Sequence, residues 1–307
     1  ALRINGNELH CKVVGEGGNL GLTQRGRIEA AMQKIRLNTD AIDNSAGVDC
    51  SDHEVNIKIT LNQALENGSL KTQNRNPLLE KMTDEVSTLV LEDNWKQTGA
   101  ISTAQMQGTI LIEPMMRMMR LLEEKGSLNR TVEFLPSDEQ LDSRQLAKQG
   151  LTRPELSVLL AYSKLEVFDN LISSSLSKSE YFERDLIDYF PKEMQQKFVP
   201  EILSHQLRHE IITTIISNEI INRMGTTFFH RVKEDTGQKG CDIARVYYVT
   251  RDIFDIQALW NAIEALPQEV TIQAHHELLM EIRRFIERIT IWFLRSHQHP
   301  LDTQKMV

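Results

Sequence analysis

The run Asp49-Cys50-Ser51-Asp52-His53-Glu54 crowds carboxylates, a thiol, a hydroxyl and an imidazole together, and helical apolar spacing begins directly after it. Three chemistries could use those residue types: a nucleophile with its base, a metal site, or the side-chain grammar of a helix start. Metal ligation by this run is not expected. Consecutive residues point in different directions, and no second Cys/His pair stands at ligand spacing. A helix start accounts for more of it. Ser51 as N-cap with Glu54 reaching back makes a capping box, Cys50 and Val55 supply a hydrophobic staple, and Asp52 suits the positive helix end.

A second candidate is Gly15-Glu16-Gly17-Gly18-Asn19-Leu20-Gly21. A strand, a glycine loop and a helix in that order let backbone N–H groups approach a ligand closely. The glycines lack the GxGxxG spacing, and no acidic residue ends a second strand after them. A ligand loop and an ordinary tight turn therefore both stay open. His205 and His209 sit one helical turn apart, without the glutamate that a zinc-protease helix places between them, and read as a helix face. His275, His276, His297 and His299 have no companions and are expected at the surface. Met115 to Lys125 (MMRMMRLLEEK) is expected to pack a core or a helix contact. Gly-x-Ser-x-Gly, a Walker loop and CxxC are absent from the sequence. The residues alone do not specify a reaction.

The elements that must position these candidates change character along the chain. Residues 9–14 (LHCKVV) and 37–42 read as short strands, with a helix over about 23–34 between them. From Ser51 onward the pattern is almost wholly helical, and Asn67-Gly68-Ser69 closes the first long segment. Capping boxes are predicted at Thr152/Glu155, with a Leu151–Leu156 staple, at Ser102/Gln105 and at Ser137/Gln140. Amphipathic runs follow over about 205–224 and 269–295. The expected architecture is mainly α, with one α/β corner and a boundary near residues 67–76.

The composition is that of a soluble globular protein. A net charge of −8 argues against general attraction to nucleic acid. No apolar run approaches the roughly 20 residues that cross a bilayer, and no secretory signal is seen. Cys11, Cys50 and Cys241 suit reduced thiols in a cytoplasm. An opening strand with no neighbour to pair with suggests a piece of something larger.

VVGEGGNLGLTQRGRIE followed by NTDAIDNSAGVDCSDHEVNIKI strongly resembles the large NAD-specific glutamate dehydrogenases of bacteria, and LTRPELSVLLAYSK is similar to their C-terminal helical region. The resemblance covers the whole chain as the last part of a longer subunit. It implies that residues 1–70 are a small α/β remnant of a Rossmann-type NAD-binding domain and that 71–307 are a helical C-terminal domain. Glutamate dehydrogenases place an E-G-A-N loop near the nicotinamide ribose. Glu16-Gly17-Gly18-Asn19 stands there, with Gly18 for the usual alanine. Their cofactor-lining N-A-G-G-V segment is similar to Asn44-Ser45-Ala46-Gly47-Val48.

Gly17, Gly18, Asn19, Asn44 and Gly47 are thereby implied to contact NAD, and Ser51 to hold the substrate's side-chain carboxylate. The smaller enzymes follow that serine with aromatic residues, where Asp52-His53 stand here. The family's dinucleotide fingerprint, lysine-rich substrate motif and lysine/aspartate pair are not found, so no catalytic residue is assigned. For the parent the resemblance implies conversion of L-glutamate and NAD to 2-oxoglutarate, ammonia and NADH by a cytoplasmic homo-oligomer, away from nucleic acid and membrane. The chain alone is expected to be inactive. A rival expectation is a non-catalytic helical module for assembly or regulation.

Overall fold

The computed structural model describes residues 3–18, 20–267 and 269–296. Its helices are, in order, α1 (Gln24–Met32), α2 (Asp40–Asp43), α3 (Ser45–Glu66), α4 (Thr72–Gln107), α5 (Ile112–Glu124), α6 (Asp138–Leu146), α7 (Arg153–Ile172), α8 (Glu183–Asp188), α9 (Lys192–Lys197), α10 (Val199–Leu203), α11 (Arg208–Met224), α12 (Phe228–Thr236), α13 (Gly240–Ile253), α14 (Ile256–Glu264) and α15 (Ile272–Ser296). The mainly α expectation holds. The two expected strands do not form among the described residues. They reduce to one parallel bridge, Val13 with Arg36, made by Val14 N–H to the Arg36 carbonyl (2.9 Å) and Arg36 N–H to the Lys12 carbonyl (3.0 Å). A lone pair of extended segments has no third strand to extend its ladder. Thr39 then turns the chain directly into α2.

Two compact units interleave along the sequence: Ala1–Gly99 with Ser177–Ile215, and Ala100–Leu176 with Ile216–Val307. In the first, α1 is capped by Thr23, whose Oγ1 accepts from Gly26 N–H. Gly6 rests so closely on α1 that a Cβ there would lie 2.3 Å from the Gly26 carbonyl oxygen. Ala30, Ile35 and Leu37 form a small core under this corner. α3 buries Ile57, Leu61 and Ala64 and packs against α10. Its C-terminus ends at Asn67, with Gly68 at φ +84°. The Asn67 amide and Ser69 hydroxyl then both donate to Glu201 on α10 (2.7 Å each).

In the second unit α13 lies at the centre, packed by α7, α12, α14 and α15, and it buries Tyr247 and Tyr248 completely. The methionine run behaves as expected. Met115, Met116, Met118 and Met119 are buried on α5, while Arg117 pairs with Glu113 (2.6 Å) and Arg120 with Asp138 (2.7 Å). The boxes at Thr152/Glu155 and Ser137/Gln140 are present, and Leu151 and Leu156 are buried as the staple requires.

Two expected helix starts are corrected. Ser102 lies inside α4, where its hydroxyl accepts from Arg153 (2.9 Å). Ser51 lies inside α3, which begins at Ser45, and its Oγ donates back to the Gly47 carbonyl (3.3 Å). The reason is packing. Gly47, Val48, Cys50, Ser51 and Asp52 face outward, so the first turns of α3 carry no apolar stripe for periodicity to reveal. The buried stripe runs instead through His53, Asn56, Ile57, Thr60, Leu61 and Ala64. His297 and His299 lie outside the described residues.

Candidate functional site

The glycine loop and the Asn44 turn, separate motifs in sequence, are fastened to each other through α2. Asp43 accepts from Glu16 N–H (3.1 Å) through one carboxylate oxygen and from the Asn38 amide (2.8 Å) through the other. Asp40 accepts from Leu20 N–H (2.9 Å). That hydrogen bond, ahead of the nearby Arg27 guanidinium, holds the Asp40 carboxyl below the usual carboxylate range. Beneath the loop, the Glu16 carboxylate receives Arg27 Nε (2.6 Å) and Nη2 (2.8 Å) and also Leu22 N–H (3.1 Å). Both side chains are almost fully buried, and Arg27 Nη2 lies 3.0 Å from Asp40 as well. Hydrogen bonding to Glu16 raises the Arg27 pKa. A buried charge pair with its remaining valences satisfied sets position more than it adds stability.

Above this anchor the loop backbone is open. A Cβ built on Gly17 or Gly18 would meet nothing within 4 Å, and both residues are exposed. Asn19 lies outside the described residues. Asn44 joins α2 to α3, and its amide makes no hydrogen bond among the described residues. It lies over Gly47, where a Cβ would fall 3.1 Å from Asn44 Nδ2 and 3.2 Å from Oδ1. Gly47 N–H donates to the Asn44 carbonyl (3.0 Å) and closes the first turn of α3. Ser51 stands exposed one turn further on. The structure thus places Gly17 and Gly18 on one loop and Asn44, Gly47 and Ser51 along one helix start, with Asp40 and Asp43 as the fastening.

Sequence reasoning missed that fastening. Asp40 and Asp43 carried no motif, and only their i, i+3 spacing beside a glycine loop could have suggested it. The run 49–54 diverges as expected: Cys50, Ser51, Asp52 and Glu54 are exposed while His53 is buried. His205 does not share a helix face with His209: it lies buried in the turn between α10 and α11, while His209 lies on α11. The Nε2 of His205 lies 3.2 Å from the Asn56 carbonyl and its Nδ1 accepts from Leu207 N–H (3.0 Å). In the second unit a cleft of about 490 Å³ is lined by Met106, Ile110, Met280 and Arg231 among others. Arg231 there is engaged by both oxygens of Glu287, so its charge is already met.

Comparison with known proteins shows the family. Residues 1–104 match the family model described as bacterial NAD-glutamate dehydrogenase, catalytic domain, and residues 148–307 match glutamate dehydrogenase, C-terminal. The NAD-specific glutamate dehydrogenase of Halomonas elongata is 46% identical over 296 residues, 96% of this chain. That of Pseudomonas aeruginosa is 46% identical over 306 residues, the whole chain, and that of Mycobacterium tuberculosis 40% identical over 300 residues, 98% of it. The chain spans 18–19% of the length of these relatives. With the glycine loop, the Asn44 turn and the helical region all inside the matched segments, the chain belongs to the family of bacterial NAD-specific glutamate dehydrogenases.

Proposed function

We propose that this chain is the end of the NAD-binding domain (1–70) and the helical C-terminal domain (71–307) of an enzyme that oxidatively deaminates L-glutamate to 2-oxoglutarate and ammonia. On this reading the α/β corner is the remnant of a Rossmann-type domain, and the parent is a cytoplasmic homo-oligomer. The observation that carries it is the fastening of the glycine loop to the Asn44 turn, which sets one open glycine backbone beside an amide that makes no hydrogen bond among the described residues. That arrangement fits a dinucleotide. Backbone N–H groups at Gly17 and Gly18 have room for a close ligand, and the Asn44 amide offers a donor and an acceptor without breaking a hydrogen bond among the described residues. NAD, when bound, takes up the hydride, and the protein supplies position and electrostatics.

Within this chain, Asn19 and Asn44 would orient the cofactor, Gly47 would leave room for the Asn44 amide, and the exposed Ser51 hydroxyl would donate to the substrate's side-chain carboxylate. The groups that move protons lie elsewhere in the parent, so the chain alone is inactive and NAD stabilises it little. The test is Asn44→Ala in the full-length enzyme. We expect kcat/KM for NAD to fall by at least about tenfold, a loss of about 1.4 kcal/mol. Unchanged kinetics would favour the rival reading of a non-catalytic helical module for assembly or regulation, which the preponderance of helix supports.

A further inference from the structure

We infer that Asp49, His53 and Asp93 form a binding site for one divalent transition-metal ion that ties α3 to α4. Asp49 and His53 lie one turn apart on α3, Asp93 comes from α4, and one ligating atom of each lies within 4.8 Å of the others. This is a different set from the consecutive run 49–54, and the ligand atoms converge only because two helices meet.

Three features make the site a built one. His53 is 98% buried by its 2% exposure, and its ring is fixed by stacking on Tyr189 (centroids 4.4 Å apart, planes 16° apart). The Tyr189 hydroxyl in turn accepts from the Asn56 amide (2.9 Å). Next to Asp93, the Asn94 amide donates to the Ile42 carbonyl and to Ser45 Oγ (2.7 Å each), which holds α4 against the first turn of α3. Lastly, one nitrogen of the imidazole is unsatisfied. Nδ1 is buried without a partner, and Nε2 lies 3.9 Å from Asp49 Oδ1, beyond hydrogen-bond reach. A buried ring nitrogen left unmatched in the interior calls for an explanation.

A cation ligated through Nδ1 would supply that explanation. Asp49 and Asp93 bring two carboxylates to the His53 ring. Lys96, 3.9 Å from Asp93 on the same helix, offsets part of the repulsion. One imidazole nitrogen with two carboxylates suits Zn²⁺ or Mn²⁺ better than Mg²⁺, which favours oxygen donors alone. Ligand bonds of roughly 2.0–2.2 Å need the side chains to close by only a fraction of an ångström. Asp49 is 27% exposed, which gives the ion a way in. An ion here would brace the helix that begins at Asn44 and carries Ser51.

The test is calorimetric titration of the chelator-treated full chain with Zn²⁺ and Mn²⁺, beside thermal unfolding with and without ion. One ion per chain is expected, with the unfolding temperature rising by roughly 4–8 °C at a hundredfold excess over Kd. His53→Gln and Asp93→Asn should each abolish the saturable binding. Asp93→Asn also relieves the carboxylate repulsion, so its metal-free unfolding temperature should equal or exceed that of the unaltered chain, which shows that it folds. No stoichiometric binding, or binding that Asp93→Asn leaves intact, overturns the assignment.

Discussion

Gly47→Ala separates folding from function at the Asn44 turn. Gly47 lies in the first turn of α3 without a positive φ, so alanine is compatible with its backbone. Replacing a helical glycine by alanine gains about 0.5–1 kcal/mol, less near a helix end. Against this, the new methyl would lie 3.1–3.2 Å from the Asn44 amide, which must yield by a few tenths of an ångström. That amide makes no hydrogen bond among the described residues and is half-exposed, so its displacement costs only a few tenths of a kcal/mol. Urea unfolding of the chain should therefore show stability unchanged or raised by up to about 1 kcal/mol. In the full-length enzyme the consequence is opposite. A misplacement of about 1 Å near the chemistry costs on the order of 10²-fold, so a shift of a few tenths should cost kcat/KM for NAD about tenfold. A soundly folded Gly47→Ala enzyme with kcat/KM for NAD within about twofold would refute the role given to Asn44. A stability loss above about 1 kcal/mol would refute the claim that the amide can yield.

Other substitutions test the scaffold. Glu16→Gln leaves Arg27 with Asp40 as its ionic partner and turns an amide N–H₂ toward donors of Arg27 or Leu22. A loss of about 2–3 kcal/mol is expected by urea unfolding, and under about 1 kcal/mol would mean that the pair does not anchor the loop. Ser51→Ala should change stability by less than about 0.5 kcal/mol, whereas Thr152→Ala, which removes a real N-cap, should cost about 1 kcal/mol. Equal losses would restore Ser51 as a cap. His205 is pinned as the Nε2–H tautomer, since Nε2 faces a carbonyl and Nδ1 receives an N–H. Burial lowers its pKa, so protonation opposes folding. Its contribution is complete above about pH 6.5 and is lost as pH falls below that value. Urea midpoints measured from pH 7.5 to 5 should decline, and His205→Gln should flatten the decline.

Much of this protein was legible in the sequence. Thr152/Glu155 and Ser137/Gln140 announced their helices because a capping box is a local pattern, satisfied by residues three apart. The Asn67-Gly68-Ser69 stop was readable for the same reason. The resemblance in 13–29 and 38–59 led to the family that the comparisons show. What stayed hidden was decided between elements. The start of α3 six residues before Ser51 had no apolar stripe to mark it, because that surface faces outward. The strands read at 9–14 and 37–42 needed neighbours that local spacing cannot supply. Asp40 and Asp43 became the fastening of the two loops, and Asp93 came to face His53, only through tertiary approach of segments 20 to 40 residues apart. Local chemistry chose the helix ends and the family's loops. Convergence of charged side chains across those distances depends on packing, and only the folded structure decided it.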